Sequence, residues 1–256
     1  MHVFAFGTIC ARNGLELIYN VSVHSKVINM KYFLSAVLLV LCELAIANIA
    51  EQNTNPEINR HYQGAKFQDW VGVFERGGRE VYDKRHDVVQ ALNLKPGMNI
   101  ADIGAGTGFY SLLFAQEVGK IGNIFAVDVT DDFILNINRR ASEKNINNIH
   151  AVHSNQKDTF LAPDSIDMAF VCDTYHHFEY PQTMLSSIRR ALRSGGELIL
   201  IDFRKEPGNS SSWVMSHVRA NKETVIKEIE QAGFKLKSES DMLKTNYFLW
   251  FVKTGQ

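Results

Sequence analysis

Three glycines at alternating positions, Gly104, Gly106 and Gly108, follow an acid, Asp102, in the stretch IADIGAGTGFY. Glycine tolerates positive φ and lets a ligand approach the backbone closely, so such a loop between a strand and a helix suits a nucleotide-type cofactor. A second acid, Asp128, closes the apolar run NIFAVDV. From a strand end about 20 residues beyond the loop, a carboxylate can accept hydrogen bonds from both hydroxyls of a ribose. A third group lies in VCDTYHHF, where Asp173, His176 and His177 are candidates for taking a proton from a reacting substrate near neutral pH. They can equally shape a pocket with no proton transfer.

NAD and S-adenosylmethionine both use a glycine loop followed by such an acid. The dinucleotide pattern G-x-G-x-x-G sets a diphosphate on the helix amino terminus. Here the glycines run G-A-G-T-G, and Asp102 stands two residues before the first. A negative group beside the loop suits a sulfonium and an α-amino group better than a diphosphate. That favours S-adenosylmethionine, with a non-catalytic module binding it or S-adenosylhomocysteine as the alternative. An NAD-dependent oxidoreductase ranks third, for want of a clear hydride-transfer constellation.

Alternating strand and helix patterns must position these groups. Strands are expected over 98–103, 123–129, 149–153, 166–172 and 197–203, with helices over 109–118, 131–144 and 181–192 between them. Ser194-Gly195-Gly196 reads as a turn, and a helix over 222–232 leads to a closing hairpin, 234–240 and 247–253. Near-continuous apolar strands separated by amphipathic helices mean a parallel sheet covered on both faces. Final strands without an intervening helix require an antiparallel pair. The fold class is therefore α/β, a Rossmann-like doubly wound sheet. Residues 60–93, rich in aromatics at helical spacing and broken at Gly77-Gly78, read as an N-terminal helical cap. Trp70, Phe74 and Tyr82 of the cap, with the segment EPGNSSSWVMSHVRA carrying Trp213, His217 and Arg219, can wall an acceptor pocket.

From about Glu75 to Lys253 the chain resembles the class I S-adenosylmethionine-dependent methyltransferases, on IADIGAGTGFY, FAVDVT, HSNQKDTFLAPDSIDMAFVCDTYHHF and RALRSGGELILIDF in the family's order. The resemblance implies seven strands with the last reversed. It assigns Gly104, Ala105, Gly106 and Gly108 to the methionine part and adenosine, beside Asp102, and Asp128 with Val129 to the ribose. Where the family often has an acid for the adenine amino group, this chain has Asn155, with Gln156 as a neighbour able to share the role. Asp173 closes the cofactor site. Asp173, His176 and His177 are the candidate catalytic set, and the acceptor is expected to be a small molecule.

The 256 residues carry 27 basic and 28 acidic groups, a formal net charge of -1. No basic excess is available to neutralise a phosphate backbone, so nucleic-acid binding is not expected. Asp173, His176, His177 and Glu179 also invite a metal reading. Adjacent histidines on a loop seldom point at one ion, however, and no other pair has zinc spacing, so no metal is expected. Cys172 reads as a packing residue, since Asp173 beside it disfavours the thiolate.

At the amino end, Lys31, an apolar run over 32–42 and Ala45-Ile46-Ala47 follow the order of charge, apolar core and small-x-small cleavage site of a signal peptide. Met30 makes a natural start, leaving 1–29 as an upstream extension without a domain. Residues 30–47 are then a signal peptide, or an uncleaved membrane anchor, followed by a linker over 48–59 and the methyltransferase domain over 60–256. Export is expected, with membrane anchoring the alternative.

Overall fold

The computed structural model describes residues 51–255, so the expectations for 1–50 lie outside the described residues. A seven-stranded sheet runs in the order β3-β2-β1-β4-β5-β7-β6. Its strands are β1 (Asn99–Ile103), β2 (Asn123–Asp128), β3 (Ile149–His153), β4 (Ile166–Cys172), β5 (Leu192–Phe203), β6 (Phe234–Ser240) and β7 (Asn246–Lys253). β7 runs antiparallel to both its neighbours, and the pairings among β1 to β5 are parallel. The order reverses between β1 and β4, where a doubly wound sheet opens its ligand crevice.

The central strands are buried on both faces, which is why they read as continuous apolar runs. One core lies between the sheet and a helix layer around Phe114, Val118 and Ile137, and the other around Leu185, Ile188 and Ile229. The helices are α1 (Phe67–Phe74), α2 (Glu80–Asp83), α3 (Arg85–Ala91), α4 (Phe109–Val118), α5 (Asp131–Glu143), α6 (Pro181–Ala191), α7 (Ser212–His217) and α8 (Lys222–Gln231). Pro181 opens α6 at a position whose N–H would be unpaired in any helix.

Three details differ from the sequence expectation. The cap bends a second time at Lys84, so its second half is two short helices, α2 and α3. Ser194-Gly195-Gly196 is not a turn ahead of β5 but an excursion within it. Leu192 already pairs with Ile166, and pairing resumes from Met168 and Glu197 after a register shift. The segment after β5 contains the helix α7, capped by the Ser211 hydroxyl accepting the Val214 N–H.

Residues 51–59 are tied to the sheet's ligand edge. The Glu51 carboxylate accepts the Gln182 and Thr183 N–H groups at the start of α6, at 2.9 and 2.7 Å. A carboxylate there satisfies free donors and meets the positive end of the helix dipole. The Thr54 N–H donates to the Glu179 carbonyl at 2.9 Å. Among the described residues no helix is long and apolar enough to cross a membrane.

Candidate active site

β1 ends at Ile103, and the chain turns through Gly104 to Gly108 into α4. Gly104 sits at φ +70, and a Cβ there would lie 2.2 Å from Thr174 Cγ2, so both backbone angle and space demand glycine. Gly108 caps α4 in the left-handed region at φ +73, and a Cβ would lie 2.9 Å from Ile137 Cγ1. It packs the helix against α5 and is not part of the cavity wall.

A cavity opens over this loop, lined by Asp102, Gly104, Ala105, Gly106, Asp128, Val129, Gln156 and Asp173 among others. The Asp128 carboxylate is held by the Gly106 N–H on Oδ2 at 2.8 Å and the Thr130 N–H on Oδ1 at 2.9 Å. Burial pushes its pKa up, and these donors pull against the shift. Asp102 is buried, with the Ser111 hydroxyl donating to it at 2.6 Å. Burial pushes its carboxyl up to about 7. No cationic side chain pairs with it among the described residues, so a cationic ligand would complete its surroundings. Val129, 38% exposed, offers an aliphatic face beside Asp128.

Of the two residues placed after β3, only Gln156 lines the cavity. Asn155 is exposed, and its Oδ1 accepts the Lys157 and Asp158 N–H groups, each at 2.8 Å. That turn commits the amide oxygen to the backbone. Ser154, which the sequence did not single out, faces the cavity instead.

Asp173 is not a free base. Arg79 Nη2 donates to Oδ2 at 2.8 Å and Asn246 Nδ2 donates to Oδ1 at 2.6 Å. Burial raises its pKa, with Arg79 opposing. Arg79 also donates to the Phe74 carbonyl, so this ion pair clasps the cap onto the end of β4. Burial and Asp173 together push the Cys172 thiol well up, so it is not a nucleophile at neutral pH.

A second cavity of about 770 Å³ adjoins the first, and Tyr62, Phe74, Arg79, Asp173 and His177 line both. His176 faces the second cavity. Its Nδ1 lies 2.7 Å from Asp202 Oδ1, and the same carboxylate accepts the His176 N–H at 3.0 Å. Burial works against charge on this imidazole, but Asp202 wins and its pKa is raised. His177 is pushed down to about 2, by burial and by the rings of His176 and His217. Trp70, Phe203, Trp213 and His217 continue the wall. Two residues expected here point elsewhere. Tyr82 packs on Phe109 and under Arg85, and Arg219 pairs with Glu228 at 2.7 Å.

The sequence also gave no sign of Asn59, Tyr62, Arg79, Asp202 or Asn246. Their roles rest on contacts between distant segments, with no local periodicity to announce them. His217 was visible only as one residue of a polar loop.

Residues 94–250, more than half of the chain, match the family described as "Methyltransferase domain". This chain belongs to that family. The Vibrio parahaemolyticus ubiquinone/menaquinone biosynthesis C-methyltransferase is 28% identical over 57% of this chain and 56% of its own length. A demethylmenaquinone methyltransferase of Listeria monocytogenes is 22% identical over 46% of this chain and 50% of its own. The chain thus spans about half the length of the curated relatives it matches. Among solved structures, a SAM-dependent methyltransferase from Aquifex aeolicus superposes with TM-score 0.65 at 21% identity, over 74% of this chain and all of that one. A chain from the complex between the Haloferax volcanii Trm112 methyltransferase activator and the "putative methyltransferase" gives 0.63 at 14%, over 75% of this chain and 97% of that one. At these identities the likeness establishes the fold: a methyltransferase-domain sheet with the last strand reversed.

Proposed function

We propose that this methyltransferase domain binds S-adenosylmethionine in the glycine-loop cavity and methylates a small acceptor held in the adjoining one. The observation that carries this is the wall the two cavities share at Tyr62, Phe74, Arg79, Asp173 and His177. Cavities that share lining residues adjoin, so a donor held in one and an acceptor held in the other would lie close enough for an in-line displacement. When bound, the cofactor supplies an electrophilic methyl on a sulfonium, which takes back its electron pair to leave as a neutral thioether.

The chain's own residues do the rest. Asp128 would meet the ribose, Asp102 would face the cationic methionine part, and Gln156 with Ser154 would border the adenine end. The cap, clasped by Arg79 on Asp173, closes the cavity from water with Tyr62 and Phe74. Aromatic walls at Trp70, Phe203 and Trp213 suit a flat, largely apolar acceptor. The names of the quinone-biosynthesis relatives agree with that chemistry.

Calorimetry with S-adenosylmethionine tests the donor half, and release of S-adenosylhomocysteine with a panel of phenolic and quinol acceptors tests the second half. Tight binding without turnover on any acceptor would favour the non-catalytic module. No binding, or binding indifferent to Asp128→Ala, would overturn the proposal.

Export through a signal peptide at 30–47, with membrane anchoring as the alternative, belongs to the same proposal. S-adenosylmethionine is a cytoplasmic product, so a cleaved leader would separate the domain from its source, and an anchor facing the cytoplasm would not. Amino-terminal sequencing of the protein from fractionated cells separates the two: a start after Ala47 supports export, an intact leader in membranes the anchor.

A further inference from the structure

We propose that His176, His177 and His217 form a site for a divalent cation of the zinc type, on the wall of the second cavity. One ring nitrogen from each lies within 4.8 Å of the others. The rings gather from two separate segments, with centroids 4.2 Å apart for His176 and His177, and 5.2 Å from His217 to each. The adjacent histidines lie on the short 3-10 helix Tyr175–His177, and each Nδ1 is held by a different partner.

Those partners decide which nitrogen each ring offers. Asp202 Oδ1 accepts from His176 Nδ1 at 2.7 Å, so the neutral ring keeps its lone pair on Nε2. Asn59 Nδ2 donates to the His177 carbonyl at 3.0 Å and to Glu179 Oε1 at 2.9 Å. This turns Asn59 Oδ1 toward His177 Nδ1, 3.0 Å away, so that nitrogen carries the proton and Nε2 is again a free lone pair. A carboxylate or amide oxygen behind an imidazole is the outer shell that orients metal-bound histidines and raises their basicity. His217 has no hydrogen-bond partner for its ring among the described residues and stacks on Trp213 at 4.6 Å.

Three neutral imidazoles with an open fourth position match a zinc site that binds an exchangeable ligand. Zinc–nitrogen bonds of about 2.0–2.1 Å put the nitrogens roughly 3.4 Å apart, so the rings must close in by about an ångström. His217, half-exposed on the six-residue α7 and held by ring stacking alone, is the least constrained of the three. Asp202 behind His176 and Glu179 behind Asn59 offset the added charge, with Arg79 on Asp173 opposing. The fourth position would face the cavity and take water or an acceptor heteroatom, lowering its pKa toward neutrality. This goes beyond the methyl-transfer proposal and stands without it, since metal binding is read with neither cofactor nor acceptor present.

The test titrates Co²⁺ and Zn²⁺ into purified protein free of tag histidines. One equivalent of Co²⁺ with the intense visible bands of a tetrahedral site, displaced by Zn²⁺, is expected. His217→Ala should weaken binding at least tenfold, Asn59→Ala by about 10–100-fold through the orientation of His177, and His86→Ala, exposed on α3, not at all. Absent stoichiometric binding, a weak octahedral spectrum, or affinity unmoved by His217→Ala in a protein that still melts cooperatively would each overturn the site.

Discussion

Gly106 donates its backbone N–H to Asp128 Oδ2 at 2.8 Å, tying the loop after β1 to the end of β2. The carboxylate proposed to meet the ribose therefore also shapes the loop. Asp128→Ala should raise the S-adenosylmethionine Kd by about 10–100-fold, the cost of losing hydrogen bonds to a charged acceptor. Asp128→Asn keeps one acceptor oxygen and should fall between. Calorimetry on the three proteins checks the order.

Gly104 and Gly108 look equivalent in sequence, but they serve different ends. Gly104→Ala puts a Cβ into Thr174 at φ +70, and Gly108→Ala puts one into Ile137 at φ +73. Left-handed strain of about 1–2 kcal/mol and overpacking of about 1–3 kcal/mol should lower Tm by roughly 5–15 °C in each. Only Gly104→Ala should also abolish cofactor binding, since Gly108 is not in the cavity wall. Equal loss of affinity in both variants would contradict this division.

Asp102 should make stability and binding depend on pH in opposite directions. Its folded pKa, about 7, lies above an unfolded value near 3.9. Between them the native state holds the proton and the unfolded chain does not, so stability falls as pH rises from about 4 to 7. A cationic ligand needs the carboxylate, so cofactor affinity should rise over the upper part of that range and level off above it. Asp102→Asn should flatten both curves. Thermal melts and calorimetry across pH 5–8 are the measurements.

Arg79 and Asp173 hold the cap down. Arg79→Ala strands a buried carboxylate and should cost about 3–5 kcal/mol, more than the double variant Arg79→Ala/Asp173→Asn. The same single change should loosen the cap, seen as faster hydrogen exchange in α1 relative to α4. A protected α1 in Arg79→Ala would refute the clasp.

Much of the framework is legible from residues alone. The apolar runs around Ile100, Ile124 and Met168 announce strands buried on both faces, and the bounds expected for 149–153, 166–172 and 234–240 coincide with those observed. Where the expectation misses, a non-local pairing competes with a local signal. Ser194-Gly195-Gly196 carries turn residues, but Leu192 finds a partner in Ile166 and the strand starts early. Asn155 has the position of an adenine ligand, but its own turn consumes the oxygen and leaves Gln156 to the cavity.

The sequence by itself determined the alternation of strand and helix, the glycine loop and the acid that closes β2. Side-chain periodicity and backbone permissiveness act within a few residues and leave a readable pattern. Only the tertiary structure decided that Arg79 meets Asp173 across 94 positions, that Asn59 reaches the His177 carbonyl across 118, and that His217 joins His176 and His177. Such contacts follow from how helices and straps pack over the sheet edge. Their partners are too far apart along the chain to share any local pattern.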